Sequence, residues 1–310
     1  MKVASFYRFL DLEDPKALRM TLQELCDKND LLGTILVAGE GVNGTLAGSR
    51  QSIQVVFDWL EEALDLVDAI DARWTDAAEA PFHRMRVRLK KEIVTLGRPD
   101  IKPQKLTGKH ISPDDWNELI DDPDTIVIDT RNQYEVEVGT FPNAIDPGTD
   151  SFRQFADFAV KLAKAGNNRP LAMFCTGGIR CEKATALMLE LGFKDVNQLQ
   201  GGILNYLEQV SGEDNRWDGE CFVFDSRVAV DLDRAEGGYV QCHACRRPLS
   251  SVDLESPDYR EGVSCPRCIG DLDEERAGRL EERQRQVELA RERGVPHIGA
   301  VLANDKSKTG

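Results

Sequence analysis

Cys175 begins a short loop whose composition favours a reactive thiolate. The stretch PLAMFCTGGIRCEKATALMLELG predicts a strand that ends at Cys175, then a loop and a helix. This order places the thiol beside successive backbone N–H groups and at the positive end of a helix, and both features lower a cysteine pKa. Gly177 and Gly178 let the N–H groups fold inward, and Arg180 adds a permanent positive charge. We predict that Cys175 is a catalytic nucleophile in an anion cradle. The cradle consists of Thr176, Gly177, Gly178 and Ile179, closed by Arg180.

The length of this loop separates two kinds of cysteine chemistry. Four residues lie between Cys175 and Arg180. Cysteine phosphatases have one residue more in this position, and their larger ring fits a phosphate, whereas the smaller ring suits a single sulfur atom such as the anionic end of a persulfide. The neighbouring Cys181 either acts as a resolving thiol or fills the first turn of the helix. Cys26 and Cys221 are predicted core residues.

Two CxxC pairs near the C-terminal end have the spacing of a metal site. Cys242 and Cys245 form the first pair, and Cys265 and Cys268 form the second. Two such turns supply four thiolates for one tetrahedral zinc ion and leave no position open for a substrate. The sequence therefore predicts a structural zinc site, with reduced metal-free turns or labile disulfides as the alternatives.

A basic segment stands out on a chain whose net charge is −15. Residues 81–110 contain nine Lys or Arg against two acidic residues. Such an island can concentrate phosphate contacts on an otherwise acidic protein. The alternative is a solvated strand face followed by a polar linker. The candidate RNA-binding side chains are Arg84, Arg86, Arg88, Lys90 and Lys91.

Composition and segment lengths narrow the class of protein. A chain of 310 residues suggests two or three compact units. Its apolar stretches are much shorter than a membrane span, and acidic residues near the N-terminus exclude a signal peptide core. Because four of the eight cysteines form CxxC pairs and one lies in the predicted catalytic loop, a reducing compartment is expected, and we predict a cytoplasmic protein with no membrane partner. The oligomeric state is not predicted.

The elements between residues 109 and 212 explain how the Cys175 loop is positioned. Strands alternate with helices in this section, which predicts a doubly wound parallel sheet. Sites in such sheets lie beyond the carboxyl ends of the strands. Asp129 and Arg131 follow one strand end and Cys175 follows another, so we expect both segments to meet at one edge.

The preceding residues predict a separate domain. Residues 1–95 have the order strand, helix, strand, strand, helix, strand, which suggests a ferredoxin-like α/β sandwich. Its last strand, RMRVRLKKEIV, alternates apolar and basic residues and so has a positive outer face. The glycine-rich segment AGEGVNG lacks the GK[ST] ending of a phosphate-binding loop, so we interpret it as a turn. Ser52 is the predicted cap of the second helix. A polar linker then leads to the catalytic domain at 109–212, and the cysteine-rich module with a charged helix occupies 213–310.

Four motifs together resemble those of the rhodanese-domain tRNA uridine hydroxylases. They are AGEGVNGT, CTGGIRCEKA, GECFVFDSRVAV and the two CxxC pairs, and they occur in the same order. The segment IVIDTRNQYEVEVGTFPNAI also resembles the one that precedes a rhodanese active site, with Asp129 and Arg131 in its Asp-x-Arg element. The resemblance covers nearly the whole chain except the C-terminal helix and tail.

This resemblance implies a function that the residues alone do not reveal. It implies an oxidoreductase that forms 5-hydroxyuridine at the wobble position of tRNA, using molecular oxygen and depending on Cys175. The anticodon region of tRNA would be the partner, and Arg180, Asp129 and Arg131 would organise the site around Cys175. No organic cofactor is evident, because the sequence has no GxGxxG fingerprint. It also shows no iron triad, since the four histidines are scattered at positions 83, 110, 243 and 297.

Two other functions fit the same loop. A plain rhodanese-type sulfurtransferase would move sulfane sulfur through a Cys175 persulfide, but it would need neither the basic strand nor the zinc module. A non-enzymatic scaffold stapled by zinc would not need the intact cysteine and arginine. The hydroxylase is therefore the preferred interpretation.

Overall fold

The computed structural model describes residues 1–166 and 168–294 of the chain. The chain divides into two compact units, the first spanning Met1–Gly237 and the second beginning at Gly238. Predictions for positions beyond 294, including His297, lie outside the described residues. Among the helices described, none is long and apolar enough to cross a membrane.

The first unit opens with a five-stranded sheet and two helices. The elements are β1 (Lys2–Phe9), α1 (Pro15–Lys28), β2 (Leu32–Ala38), β3 (Gly41–Gly48), α2 (Arg50–Ala63), β4 (Arg73–Asp76) and β5 (Met85–Leu89). The strand order is β4-β1-β3-β2-β5, with β5 parallel to β2 and the other pairs antiparallel. The first four strands and two helices form the predicted ferredoxin-like sandwich.

The basic strand does not close this sandwich as the sequence suggested. β4 pairs with β1 and takes that place, while β5 is an additional strand at the opposite edge, beside β2. β4 is only four residues long, too short for its alternation to be recognised. Leu89 of β5 is 42% exposed, so the predicted apolar face of this strand is buried mainly at Val87.

Both helices pack on one face of the sheet and leave the other face free for a site. Phe6, Ile35 and Val37 of the sheet meet Leu22 and other apolar residues of the helices in one core. Because side chains alternate along a strand, their sequence neighbours point to the opposite face. Helix α2 is capped by the Ser49 hydroxyl, which accepts a hydrogen bond from the Ser52 N–H at 2.9 Å. The prediction of Ser52 as the cap was therefore wrong by three residues.

A second, fully parallel sheet follows. The elements are β6 (Lys109–Ile111), α3 (Pro113–Asp121), β7 (Ile126–Asp129), α4 (Gln133–Val136), β8 (Gly139–Thr140), α5 (Phe155–Lys164), β9 (Leu171–Phe174), α6 (Ile179–Glu190), β10 (Val196–Leu199) and α7 (Gly202–Gln209). The sheet order is β6-β10-β9-β7. This is the predicted doubly wound parallel arrangement. The polar segment before β6 is more than a linker, because its residues Leu96 and Ile101 are buried in the apolar core of this parallel sheet.

Three short strands complete the first unit, and the second unit contains the CxxC turns. The elements are β11 (Asp218–Gly219), β12 (Cys221–Phe222), β13 (Ala229–Val230), β14 (Val240–Gln241), β15 (Pro248–Leu249), α8 (Ser251–Glu255) and α9 (Glu274–Glu292). Residues 213–237 thus belong to the first unit, and the three domain ranges given above stay predictions. The charged C-terminal helix predicted from the sequence is α9. Cys26 and Cys221 are fully buried, as predicted.

Candidate active site

The Cys175 loop joins the end of β9 to the start of α6. The Cys175 sulfur is buried and accepts a hydrogen bond from the Gly178 N–H at 3.1 Å. Gly178 caps α6 with a φ of 95°, a conformation that side chains disfavour. Gly177 has no left-handed φ, and an added Cβ would meet nothing within 4 Å, so the conformational requirement for glycine holds at Gly178 alone. Ile179 is the first residue of α6.

The surroundings of Cys175 favour its thiolate. Burial alone would raise the pKa, but the Cys181 side chain, the Arg180 charge and the backbone N–H groups of both residues lower it to about 6. Cys181 is buried beside it, and burial together with the Cys175 thiolate raises the Cys181 pKa well above its ordinary value. The Cys175 thiolate therefore predominates at neutral pH.

Arg180 is held by an acidic partner that the sequence analysis missed. Its guanidinium forms two hydrogen bonds to the Glu135 carboxylate, at 2.6 and 2.7 Å, and a third to the Thr176 hydroxyl at 3.2 Å. Glu135 is fully buried in the four-residue α4, whose capping box it shares with Asn132. This ion pair fixes the guanidinium near the sulfur. The one available signal was the position of Glu135 just after the Asp-x-Arg element.

Asp129 and Arg131 form a buried ion pair near the Cys175 loop. The guanidinium donates to Asp129 at 2.6 to 3.2 Å and to the Gly139 carbonyl at 2.5 Å. Thr130 lies between the two, donates to the Phe174 carbonyl at 2.9 Å, and lies 3.6 Å from the Cys181 sulfur. These contacts support a positioning role for the pair; a catalytic role stays a prediction.

Helix α7, which begins at Gly202, supports the Cys175 loop. The N–H groups of Ile203 and Leu204 donate to the carbonyls of Cys175 and Thr176 at 2.9 and 3.1 Å. Gly202 has a φ of 68°, and a Cβ there would come within 2.5 Å of the Cys175 carbonyl oxygen. Only glycine lets α7 approach this closely. These bonds tie the Cys175 and Thr176 carbonyls to the start of α7.

The loop lines a cleft of about 1110 Å³, whose opposite wall is the helix-free face of the N-terminal sheet. Ser5, Thr34, Leu36 and Thr45 of that face line the cleft together with Cys175. Arg86 pairs with Thr34 and Arg88 with Leu36 across the β2–β5 ladder, so both arginines share this face. Both are exposed, as are the candidate RNA-binding residues Arg84, Lys90 and Lys91 beyond the strand ends.

Glu182, on the first turn of α6, connects the two walls of the cleft. Its carboxylate accepts from the Tyr7 hydroxyl at 3.0 Å and from the Thr107 hydroxyl at 2.8 Å, and lies 2.9 Å from Nε2 of His110. Burial would raise the Glu182 pKa, but the hydrogen bond to His110 and the other donors lower it. The same hydrogen bond raises the pKa of His110. Burial, with Glu182 and Cys175 nearby, raises the Tyr7 pKa well above its usual value.

The adjacent Lys183 is tied to the glycine-rich turn of the N-terminal domain. Its ammonium is fully buried and lies 2.8 Å from Glu40 and 2.7 Å from Glu92. Glu40 belongs to AGEGVNG, which the sequence analysis treated as a simple turn. That interpretation was incomplete, because this turn supplies an anion to the helix that follows the Cys175 loop.

The four cysteines of the second unit lie close together. Their sulfur atoms are all within 4.8 Å of one another, with Cys245 and Cys265 at 3.8 Å and Cys265 and Cys268 at 3.6 Å. Sulfur ligands of a tetrahedral zinc ion, with bonds of about 2.3 Å, are roughly 3.8 Å apart. The Cys242, Cys245, Cys265 and Cys268 set therefore fits a metal ion, and Leu249 packs beside it.

Several solved structures resemble single parts of the chain. The rhodanese-like domain from Anabaena is 16% identical with a TM-score of 0.29, covering 36% of this chain and 80% of its own. A single-domain sulfurtransferase from Saccharomyces cerevisiae is 18% identical with a TM-score of 0.29, covering 36% of this chain and 97% of its own. An acylphosphatase from Coxiella burnetii is 18% identical with a TM-score of 0.22, covering 28% and 90%.

Sequence comparison assigns the chain to a family. Residues 1–93 match the UPF0176 acylphosphatase like domain, and residues 112–209 match the rhodanese-like domain. A protein of Mesorhizobium japonicum named tRNA uridine(34) hydroxylase is 51% identical over 301 residues, which make up 97% of each chain. The agreement extends through both domains and into the C-terminal unit, and this chain belongs to the tRNA uridine(34) hydroxylase family.

Proposed function

We propose that this chain is an oxidoreductase that hydroxylates uridine 34 of tRNA to 5-hydroxyuridine, with molecular oxygen as the co-substrate and Cys175 as the essential catalytic residue. The observation that carries the proposal is the 51% identity, over 97% of both chains, to a relative named for this reaction. The site adds a thiolate that lines a large cleft, which is the reactive group that the proposal requires.

The cleft has features that suit the anticodon region of tRNA. Arg86 and Arg88 at one edge of the sheet, together with Arg84, Lys90 and Lys91, offer positive charge to phosphates next to the cleft. Because Cys175 is fully buried, a base must leave its stack to reach the sulfur. An unpaired anticodon base can do so at little cost in free energy.

Within the cleft the residues of this chain prepare the sulfur for reaction. The Gly178 N–H and the Arg180 charge stabilise the Cys175 thiolate, and Glu135 orients the guanidinium. Asp129 and Arg131 brace the surroundings of the loop. Tyr7, Glu182 and His110 form a hydrogen-bonded group beside the loop that can hold or move a proton. We infer a cytoplasmic location, where tRNA is available.

We further propose that the four cysteines hold a structural zinc ion. The donor set and the sulfur separations support this assignment, and no ligand position would remain open. When bound, the ion would join the two CxxC turns into one small core. Because the unit is small and its buried core consists largely of these cysteines, metal binding would supply much of its folding free energy.

A sulfurtransferase is the second candidate. The same loop that favours a thiolate would also stabilise the anionic terminal sulfur of a Cys175 persulfide, with Gly178 N–H and Arg180 nearby. The basic edge strand is the feature that this function does not require. The two candidates therefore differ in whether loss of Cys175 abolishes tRNA hydroxylation or only sulfur transfer.

Nucleoside mass spectrometry of tRNA separates them. Cells that lack the protein are complemented with the wild type, Cys175→Ala or the core control Cys26→Ala. We expect 5-hydroxyuridine and its derivatives to return with the wild type and the control and to remain absent with Cys175→Ala. Unchanged hydroxylation in all strains, together with Cys175-dependent sulfur transfer from thiosulfate, would instead establish the sulfurtransferase.

RNA binding by the basic strand has a matched test. Arg86→Ala with Arg88→Ala removes two charges from the cleft face, and Lys16→Ala with Lys28→Ala removes two exposed charges from α1 on the opposite face. Each lost phosphate contact lowers the slope of log K against log salt by about 0.7 to 0.9. We expect this decrease for the arginine pair only. Equal slopes for both double variants would refute the RNA-binding assignment.

A further inference from the structure

One exposed aromatic residue in the cleft has no explanation in the fold. Phe224 belongs to GECFVFDSRVAV and lines the same cleft as Cys175, yet its side chain is 63% exposed. Isolated exposed apolar residues are ordinary on protein surfaces. This one differs because of its location beside the reactive loop and because the segment that carries it is held rigidly.

The rigidity comes from an anchored hairpin tip. β12 and β13 are joined through residues 223–228, and the Val223 N–H donates to the Val228 carbonyl at 2.9 Å. Val228 has a φ of 65°, which is strained for a β-branched residue and persists only where surrounding contacts enforce it. The tip therefore has a defined conformation that costs free energy to maintain.

A buried ion pair fastens this tip to the N-terminal sheet. Arg227 donates to Asp225 at 2.5 and 2.9 Å, to the Thr75 hydroxyl at 2.9 Å and to the Asp76 carbonyl at 3.1 Å. Arg227 is only 4% exposed. These contacts join residues about half the chain length apart, so the loop is fixed to the N-terminal sheet, whose helix-free face forms one wall of the cleft.

The Phe224 ring is also oriented on its protein side. Phe222 contacts it edge to face with a centroid distance of 5.1 Å, and Phe222 packs in the same way on Tyr134 at 5.3 Å. The Arg180 guanidinium lies 5.7 Å from the Phe224 ring centroid. The ring thus lies next to the Arg180 cation and lines the cleft while the residue stays largely exposed.

We propose that Phe224 is the stacking platform for the extruded pyrimidine base. Proteins that bind unstacked bases place them on aromatic rings, and a neighbouring arginine strengthens such a surface. Stacking on Phe224 would hold the uracil ring in the cleft that leads to Cys175. Phe224 is therefore a positioning residue, and this inference rests on the proposed function.

The test compares Phe224→Ala with Phe224→Trp in the full-length protein, using a tRNA anticodon stem-loop that contains uridine 34. Leu232→Ala is the control, because Leu232 is 47% exposed in the same unit and is not among the residues that line the cleft. We expect Phe224→Ala to lower kcat/KM about 5- to 150-fold, the range for loss of base–aromatic stacking. Phe224→Trp should retain most of the activity, and Leu232→Ala should match the wild type.

A second RNA isolates the stacking interaction itself. A stem-loop with an abasic residue at position 34 has no base to stack, so the wild type and Phe224→Ala should bind it with equal affinity. Equal kcat/KM for Phe224→Ala and the wild type on the uridine RNA would overturn the inference while leaving the hydroxylase intact. A binding defect that persists on the abasic RNA would also overturn it, because the ring would then contact another part of the RNA. If the wild type forms no 5-hydroxyuridine, the proposed function fails and this inference fails with it.

Discussion

The ionisation of Cys175 should depend on the side chain at position 181. Cys181 is buried beside Cys175, and its side chain is the largest of the influences that lower the Cys175 pKa to about 6. Cys181→Ala removes this thiol and leaves the loop backbone in place. Cys181→Ser retains a donor of similar size and serves as the matched control.

The size of the effect follows from the charge on the acceptor. With a pKa of about 6, Cys175 has roughly ten thiolates for each thiol at pH 7. A hydrogen bond to a charged group contributes about 1.5–3 kcal/mol, and a shift of one pKa unit corresponds to about 1.4 kcal/mol. Cys181→Ala should therefore raise the Cys175 pKa by about 1 to 2 units, to roughly 7–8. Cys181→Ser should stay close to the wild type.

Thiolate absorbance at 240 nm measures this pKa without requiring a reagent to enter the cleft. Each protein is titrated, and the curve of the same protein carrying Cys175→Ser is subtracted, which cancels the absorbance of the cysteines that do not interact with Cys175. We expect midpoints near 6 for the wild type and Cys181→Ser and a higher midpoint for Cys181→Ala. A Cys181→Ala midpoint that remains near 6 would refute this reasoning and would assign the thiolate stabilisation to Arg180 and the loop amides alone.

Three further predictions concern the supports of the site. Lys183→Met leaves Glu40 and Glu92 buried without a cation, so urea unfolding should show a loss of about 3–5 kcal/mol in the free energy of unfolding. The control Lys161→Met removes an exposed lysine and should change this free energy by less than about 0.5 kcal/mol. Equal small losses for the two variants would contradict the buried ion-pair role of Lys183. Because its folded pKa is raised, His110 stabilises the fold below the unfolded value of about 6.5, and this contribution is lost as the pH rises through the folded pKa. The Tm difference between the wild type and His110→Gln should therefore be largest at mildly acidic pH, and a difference independent of pH would be inconsistent with the Glu182 contact. Elemental analysis should find one zinc ion per chain in the wild type and none in Cys265→Ser. Removal of the metal by a chelator should make the second unit sensitive to protease. A wild type that is purified without metal and resists protease equally with and without chelator would exclude a structural metal.

The strand–loop–helix geometry around Cys175 was predictable because its signals are local. A strand, a cysteine, two glycines, an arginine and a helix follow one another within a few residues, and the backbone geometry of such a segment depends little on the rest of the chain. The parallel sheet and the ferredoxin-like sandwich were predictable for a related reason, since hydrophobic periodicity survives in each element separately. The closing strand β4 was missed because four residues carry too little periodicity.

The partners of the loop were not predictable because they are distant in sequence. Glu135, Glu40 and Tyr7 each bind a side chain among the first five residues of α6, at separations of 45 to 175 residues. A single acidic residue in a loop has the same local pattern whether it is solvated or buried against a cation. Only the folded chain distinguishes the two cases.

The ion pairs of Lys183 and the hydrogen bonds of Glu182 also bear on where one domain ends and the next begins. The predicted ranges 1–95 and 109–212 would separate Lys183 from both of its carboxylates and Glu182 from Tyr7. A fully buried lysine without an anion is strongly destabilising, so a fragment cut at residues 109–212 would lose a contact that holds the helix after Cys175. We infer that the N-terminal sheet is part of the active site as well as the expected RNA-binding surface, because it supplies one wall of the cleft and the anions that position α6.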